Sequence, residues 1–282
     1  MPKTRRRLRR RIFSGVSLLI VVVVVLGLYV AFRSVAPLLQ GTDCTAAGDG
    51  EAISLDTGQA GIAATIAGVA QKQAMPTRAV TVAYAAALQE SKLRNLSYGD
   101  RDSVGVFQQR PSEGWGPRRD LEDPVYATSR FFQALAKVPG YQQMPVPQAA
   151  QAVQHSADGQ AYEQYQQMAT QLTSAFTGQD PHGVWCWYAQ KISGDARVDA
   201  ATSGLAHAFG PQATRPTADP GMIVQVRSAP MGWTVAAWLV SHAQQYRIDN
   251  LQYEGYQWTA ANGKQGWAKA VSPAPPGSLV LG

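Results

Sequence analysis

Apolar and small residues recur at three- and four-residue intervals between about residues 60 and 176, which predicts a succession of helices. Ile62, Ile66, Val69 and Ala70 mark the first, over 61–72, and Pro76 stops it. Thr77 is the expected N-cap of the second, running from about Arg78 to about Leu93. Pro124-Val125-Tyr126 opens a helix through Ala136 that Val138-Pro139-Gly140 ends. Asp120, Glu122 and Asp123 ahead of it suit the positive end of its dipole. Pro145 and Pro147 introduce a helix over 148–156. Tyr165, Met168, Ala169 and Leu172 share one face of a closing helix over 161–176.

Residues 177–183 read as a boundary, after which tryptophans and short strand patterns dominate. Helices are expected over 199–209 and 233–246, the second with Val235, Trp238, Leu239, His242 and Tyr246 near one stripe. Strands are expected at Met222–Val226 and Ser278–Leu281, with a hairpin turning at Glu254-Gly255 between Leu251 and Trp258. The fold class is therefore a mainly α domain over 58–180 followed by a small α/β domain over 181–282.

The N-terminus has a different pattern. Residues 1–11 form a basic tail, and residues 12–32 carry no charge and include the run Val21–Val25. About 20 apolar residues span a bilayer as a helix, and basic residues ahead of such a span keep that end in the cytoplasm. The expectation is a transmembrane signal anchor over 12–33, with the following domains extracytoplasmic. A cleaved signal peptide is the competing reading, but the stretch exceeds its usual apolar length and no clear small-x-small site follows. The net charge of +6 belongs to this segment: residues 1–33 hold eight Lys and Arg and no acid, leaving residues 34–282 near −2. That balance gives no support to a nucleic-acid surface.

Residues 34–57, rich in Gly, Thr, Asp and Ser, read as a linker. The chain has two cysteines, Cys44 in this linker and Cys186 far downstream. Outside the membrane they would pair; the alternative is two separate thiols, with Cys186 packed among Trp185, Trp187 and Tyr188.

The candidate chemistry lies between Tyr84 and Gly116. Ala86 and Ala87, four and three positions before Glu90, share its helical face, and Ala83 continues it. That face is a small-residue floor ending in one carboxyl group near a helix C-terminus. The negative end of the helix dipole and poor solvation disfavour the ionised form, the setting a general acid requires. Val104–Gln108 is expected as a short strand, with Gly105 open to close approach, as by a substrate. Gln108 offers a donor and an acceptor suited to sugar hydroxyl or acetamido groups. Trp115, between Gly114 and Gly116, either stacks on a sugar or plugs a core edge.

Glu90-Ser91 followed by Gly105-Val106-Phe107-Gln108-Gln109-Arg110-Pro111 resembles the Glu-Ser … Gly-Leu-Met-Gln-x-x-Pro signature of soluble lytic transglycosylases. Gly99-Asp100-Arg101 is similar to the Gly-Asp-Arg of goose-type lysozymes. Both belong to the lysozyme-like superfamily, which cleaves peptidoglycan glycan strands, and the resemblance covers about residues 60–176. It implies Glu90 as general acid and Asp100 as a second carboxylate that positions water. Ser91, Gln108, Gln109 and Trp115 would then be substrate-binding. Gln154-His155-Ser156 stands where transglycosylases show a tyrosine, so Gln154 or His155 replaces it, or Tyr162 supplies the hydroxyl. Hydrolysis and transglycosylation both stay open.

Trp233-Thr-Val-Ala-Ala-Trp238, Tyr246-Arg-Ile248 and Tyr253-Glu-Gly-Tyr-Gln-Trp258 make the last hundred residues similar to a C-terminal domain of secreted actinobacterial cell-wall proteins. His155, His182, His207 and His242 show no zinc-ligand spacing. No metal or cofactor is expected, and this domain is expected to bind or space, with an envelope protein as its partner. The whole then reads as an anchored enzyme acting on peptidoglycan glycan strands. A non-catalytic glycan-binding or scaffold protein of the envelope is the alternative.

Overall fold

The computed structural model describes residues 22, 24–27, 29, 42–48, 50–154, 159–216 and 221–282. The basic tail, most of the expected span over 12–33, residues 34–41 and His155 lie outside them. Among the described residues, no helix is long and apolar enough to cross a membrane. Thr42–Gly282 forms one compact unit of mixed α/β structure with two small sheets.

From Asp43 onward, the expected linker is instead a hairpin. Strands β1 (Asp43–Gly48) and β2 (Glu51–Asp56) pair antiparallel around Gly50, whose φ is 80°. Small and polar residues are poor strand formers alone, and here tertiary pairing overrides composition. β3 (Val184–Trp187) adds to the other edge of β1, in the order β2-β1-β3. The register sets Cys44 opposite Cys186, and the two are joined, with S–S 1.98 Å.

Asp56 then caps α1 (Thr57–Lys72): its side chain accepts from the Gln59 N–H, and the Gln59 side chain returns to the Asp56 N–H. This capping box starts the helix four residues before the expected Gly61. Every residue from Ala60 to Ala70 is buried, the mark of a helix covered on all sides. It packs against α2 (Thr77–Ser91), against α4 (Pro124–Leu135), which a short α3 (Arg118–Leu121) precedes, and, beyond α5 (Val146–Gln154), which packs on α2, against α6 (Gln166–Phe176). α2 begins at Thr77 itself, and Pro76 holds the capping position without a side-chain bond. Asp123 caps α4 through the Val125 N–H. The closing helix expected over 161–176 divides into a 3-10 segment, Gly159–Tyr165, and α6.

The boundary expected near residue 180 falls inside the compact unit. α7 (Val198–Phe209) and α8 (Ala229–Ser241) both pack on α1. Gly68 makes room for the first, since a Cβ there would sit 2.8 Å from the Phe209 ring. A short α9 (Ala243–Tyr246) follows. The second sheet is antiparallel, in the order β4 (Ala213–Pro216), β5 (Met222–Gln225), β9 (Ser278–Leu281), β6 (Asn250–Tyr253), β7 (Tyr256–Thr259) and β8 (Ala268–Lys269). The β6–β7 turn places Glu254 and Gly255 at positive φ, as its Glu-Gly sequence requires. Trp258 and Trp267 donate their indole N–H groups to the carbonyls of Cys186 and Val184, at 3.0 and 2.8 Å, linking this region to β3.

Candidate active site

Glu90 stands half-buried in the last turn of α2. Its helix is positioned by ten consecutive buried residues, Ala79–Leu88, and packs against both α5 and α6. Lys92 and Leu93 both adopt the left-handed conformation and end the helix abruptly. The Tyr162 hydroxyl, from the 3-10 segment, donates to Glu90 Oε1 at 2.8 Å. Tyr162 is itself 1% exposed, so packing fixes the hydroxyl that orients the carboxyl.

The segment after α2 is a turn rather than the expected strand. Single bridges pair Leu96 with Gly105 and Val104 with Gln109. Val104, Val106 and Phe107 are all fully buried, so the two-faced alternation of a strand does not sort them. Gly105 does permit a close backbone approach, but the approaching group is Leu121: a Cβ would lie 2.4 Å from its carbonyl oxygen. Phe107 stacks on Phe131 at 4.5 Å, anchoring the turn to α4.

Gln108 is held at φ 48° at the tip of this turn. Its Nε2 donates to the carbonyls of Tyr98 and Gly105 at 3.3 and 3.2 Å. Both amide protons are thus engaged by backbone, and Oε1 is left as an acceptor. Gly99 clears the space, because a Cβ would fall 1.9 Å from Gln108 Oε1.

A cleft of about 540 Å³ opens here, lined by Glu90, Asp100, Ser103, Gln108, Arg110, Glu113, Trp115 and Gln154. Trp115 lines the cleft and also packs against the core. Its carbonyl accepts from Arg130 Nε at 2.8 Å. Asp100 sits at the rim with its side chain 90% exposed and 3.9 Å from Arg101 Nε.

Two expected substrate contacts turn inward. Ser91 is buried, its Oγ 2.7 Å from the Val106 carbonyl and 3.1 Å from that of Ala87, while it accepts from the Arg94 N–H. It fastens the helix end to the turn. Gln109 is 2% exposed and donates to the Ala127 carbonyl at 3.2 Å. A polar residue next to a cleft residue in a turn points away from it, and both side chains serve the frame.

The motif reading also missed a group. Arg110 binds Asp102 at 3.0 Å through Nε and pairs with Glu113 through Nη1. The Ser112 N–H and hydroxyl bind Asp102 at 2.8 and 2.9 Å. The Ser112 N–H foremost, then the Arg110 guanidinium, hold the Asp102 carboxyl down at about 2. This makes one rigid charged wall of the cleft. Gln154 braces the opposite side, donating to the Phe107 carbonyl at 2.7 Å. The signal available in the sequence was proximity: Arg110 is two residues beyond Gln108, on the far leg of the turn.

No family model and no curated protein matches the chain. Among the described residues, no group of His, Cys, Asp or Glu is placed to hold a metal ion.

Proposed function

We propose that the chain is an extracytoplasmic peptidoglycan glycosidase of lysozyme-like type, held at the membrane by residues 12–33, with Glu90 as its general acid. The observation that carries the reading is the Tyr162–Glu90 bond of 2.8 Å at the floor of a polar cleft with an indole on its wall. One carboxyl oxygen is fixed by a buried hydroxyl, and the other carries the proton to the glycosidic oxygen. The Trp115 ring supports a sugar face, and Gln108 Oε1 accepts from a hydroxyl or acetamido N–H.

The carboxylates favour transglycosylation over hydrolysis. Inverting hydrolysis uses a second carboxylate to activate water, and Asp100 lies out in solvent while Glu113 is engaged by Arg110. With no sheltered carboxylate beside it among the described residues, ionised Glu90 takes the proton of the substrate's own hydroxyl as that oxygen closes on the sugar carbon. The glycosidic bond breaks, an anhydro ring forms and no water is consumed. Mass spectrometry of digested cell wall tests this: anhydro-muramyl ends are expected, and products that have gained water would overturn it. The exposure of Asp100 also favours a second reading, a non-catalytic glycan-binding protein. Equal, background-level release by the parent chain and Glu90→Gln would establish that reading instead.

A further inference from the structure

Strand alternation in β3 turns Val184 and Cys186 into the core and Trp185 and Trp187 outward. The register sets Thr45 opposite Trp185, Asp43 opposite Trp187 and Ser54 opposite Thr45. Two indoles therefore share one sheet face with a carboxylate and two hydroxyls. The 3-10 segment Ala260–Gln265 crosses this face, and Gly263 permits it, since a Cβ there would sit 2.1 Å from the Cys186 carbonyl oxygen. Gly266 backs the Trp185 ring, and Lys264 Nζ lies 4.3 Å from the centre of the Trp187 ring. What remains between sheet and segment is a pocket of about 250 Å³.

We propose that this pocket is a second saccharide-binding site. It shares no lining residue with the cleft at Glu90, and it does not depend on the chemistry assigned to Glu90. Trp233, Trp238 and Trp258 are buried in the core, whereas Trp185 and Trp187 stay half-exposed against an open cavity. A pyranose meets both demands of such a lining. Its C–H face covers an indole, and its hydroxyls act as donors to Asp43 and acceptors from Lys264, with Thr45 and Ser54 able to do either. An apolar side chain would offer nothing to the Asp43 carboxylate or to the Thr45 and Ser54 hydroxyls, and an anion would meet the Asp43 carboxylate. The volume lies below the roughly 300–1,000 Å³ of sites for larger ligands, so one sugar ring is expected to enter.

The test uses the full chain in detergent, carrying Glu90→Gln so that glycans stay intact. Tryptophan indole resonances are followed during titration with an N-acetylglucosamine trisaccharide and, separately, a glucose trisaccharide. Saturable shifts of Trp185 and Trp187 are expected with at least one of them. Asp43→Ala, at an exposed position, is expected to weaken that binding about tenfold and leave the Trp115 response unchanged. Trp187→Ala is expected to abolish it; should that variant fail to fold, Asp43→Ala decides alone. Shifts confined to Trp115, no saturable shift with either trisaccharide, or an unchanged titration in Asp43→Ala would overturn the proposal.

Discussion

Replacing Tyr162 by phenylalanine removes one hydroxyl and keeps the buried ring. In the native chain that hydroxyl donates to Glu90 Oε1 at 2.8 Å, from a side chain 1% exposed. A hydrogen bond to a charged group contributes about 1.5–3 kcal/mol net. At about 1.36 kcal/mol per tenfold in rate, losing it in the transition state slows turnover roughly 10- to 150-fold. The assay is release of soluble muropeptides from purified cell wall, with Glu90→Gln as the floor and denaturant unfolding as the control for folding. Tyr162→Phe is expected to fall between the parent and the floor. Parent-like release from Tyr162→Phe, alongside an inactive Glu90→Gln, would refute the idea that this hydroxyl aims the acid.

Gly99→Ala is expected to dislodge Gln108, since the added Cβ would overlap its Oε1; release should drop sharply while the unfolding midpoint moves little. Removing the disulfide by Cys44→Ala with Cys186→Ala frees a loop with a sequence separation of 142, for which loop entropy allows up to about 5 kcal/mol of destabilisation, read by urea unfolding. His242 gives a pH dependence. Its ring is packed against Trp238 and near Gly61, and burial lowers its pKa to about 4, against about 6.5 in an unfolded chain. Between those values the unfolded chain binds the extra proton, so this contribution is complete above pH 6.5 and is lost as pH falls toward about 4. The loss is at most about 3 kcal/mol, less because the ring keeps some exposure, and His242→Gln is expected to flatten the unfolding profile over that range.

The helices were legible because small apolar residues repeat with their period, as in Ile62, Ile66 and Val69 of α1. The β1–β2 hairpin was not, because its Gly, Ala, Asp and Ser residues favour strands poorly; β1 is held by pairing with β2 on one edge and, on the other, with β3 more than a hundred residues away. The same limit applied at the candidate site. Glu90 and Gln108, which only the resemblance connected, line one cleft. Ser91 and Gln109 were misread because their partners, Val106 and Ala127, are brought up only by the turn and by α4. Tyr162 reaches Glu90 from 72 positions away; the resemblance offered its hydroxyl as one alternative beside Gln154 and His155, and local spacing does not choose among them. The charged wall of Asp102, Arg110 and Glu113 is similarly a product of the turn's two legs meeting.

The Cys44–Cys186 bond has a mechanical consequence. Tension applied through residues 1–41 enters at the start of β1, where an antiparallel hairpin would ordinarily peel open one residue at a time. Here peeling halts at Cys44, the second residue of the strand. The load passes across the covalent link into β3, whose carbonyls are gripped by Trp258 and Trp267. A pull on the tail is thereby borne by the whole folded body, and the strand that leads to α1 and the Glu90 cleft is spared.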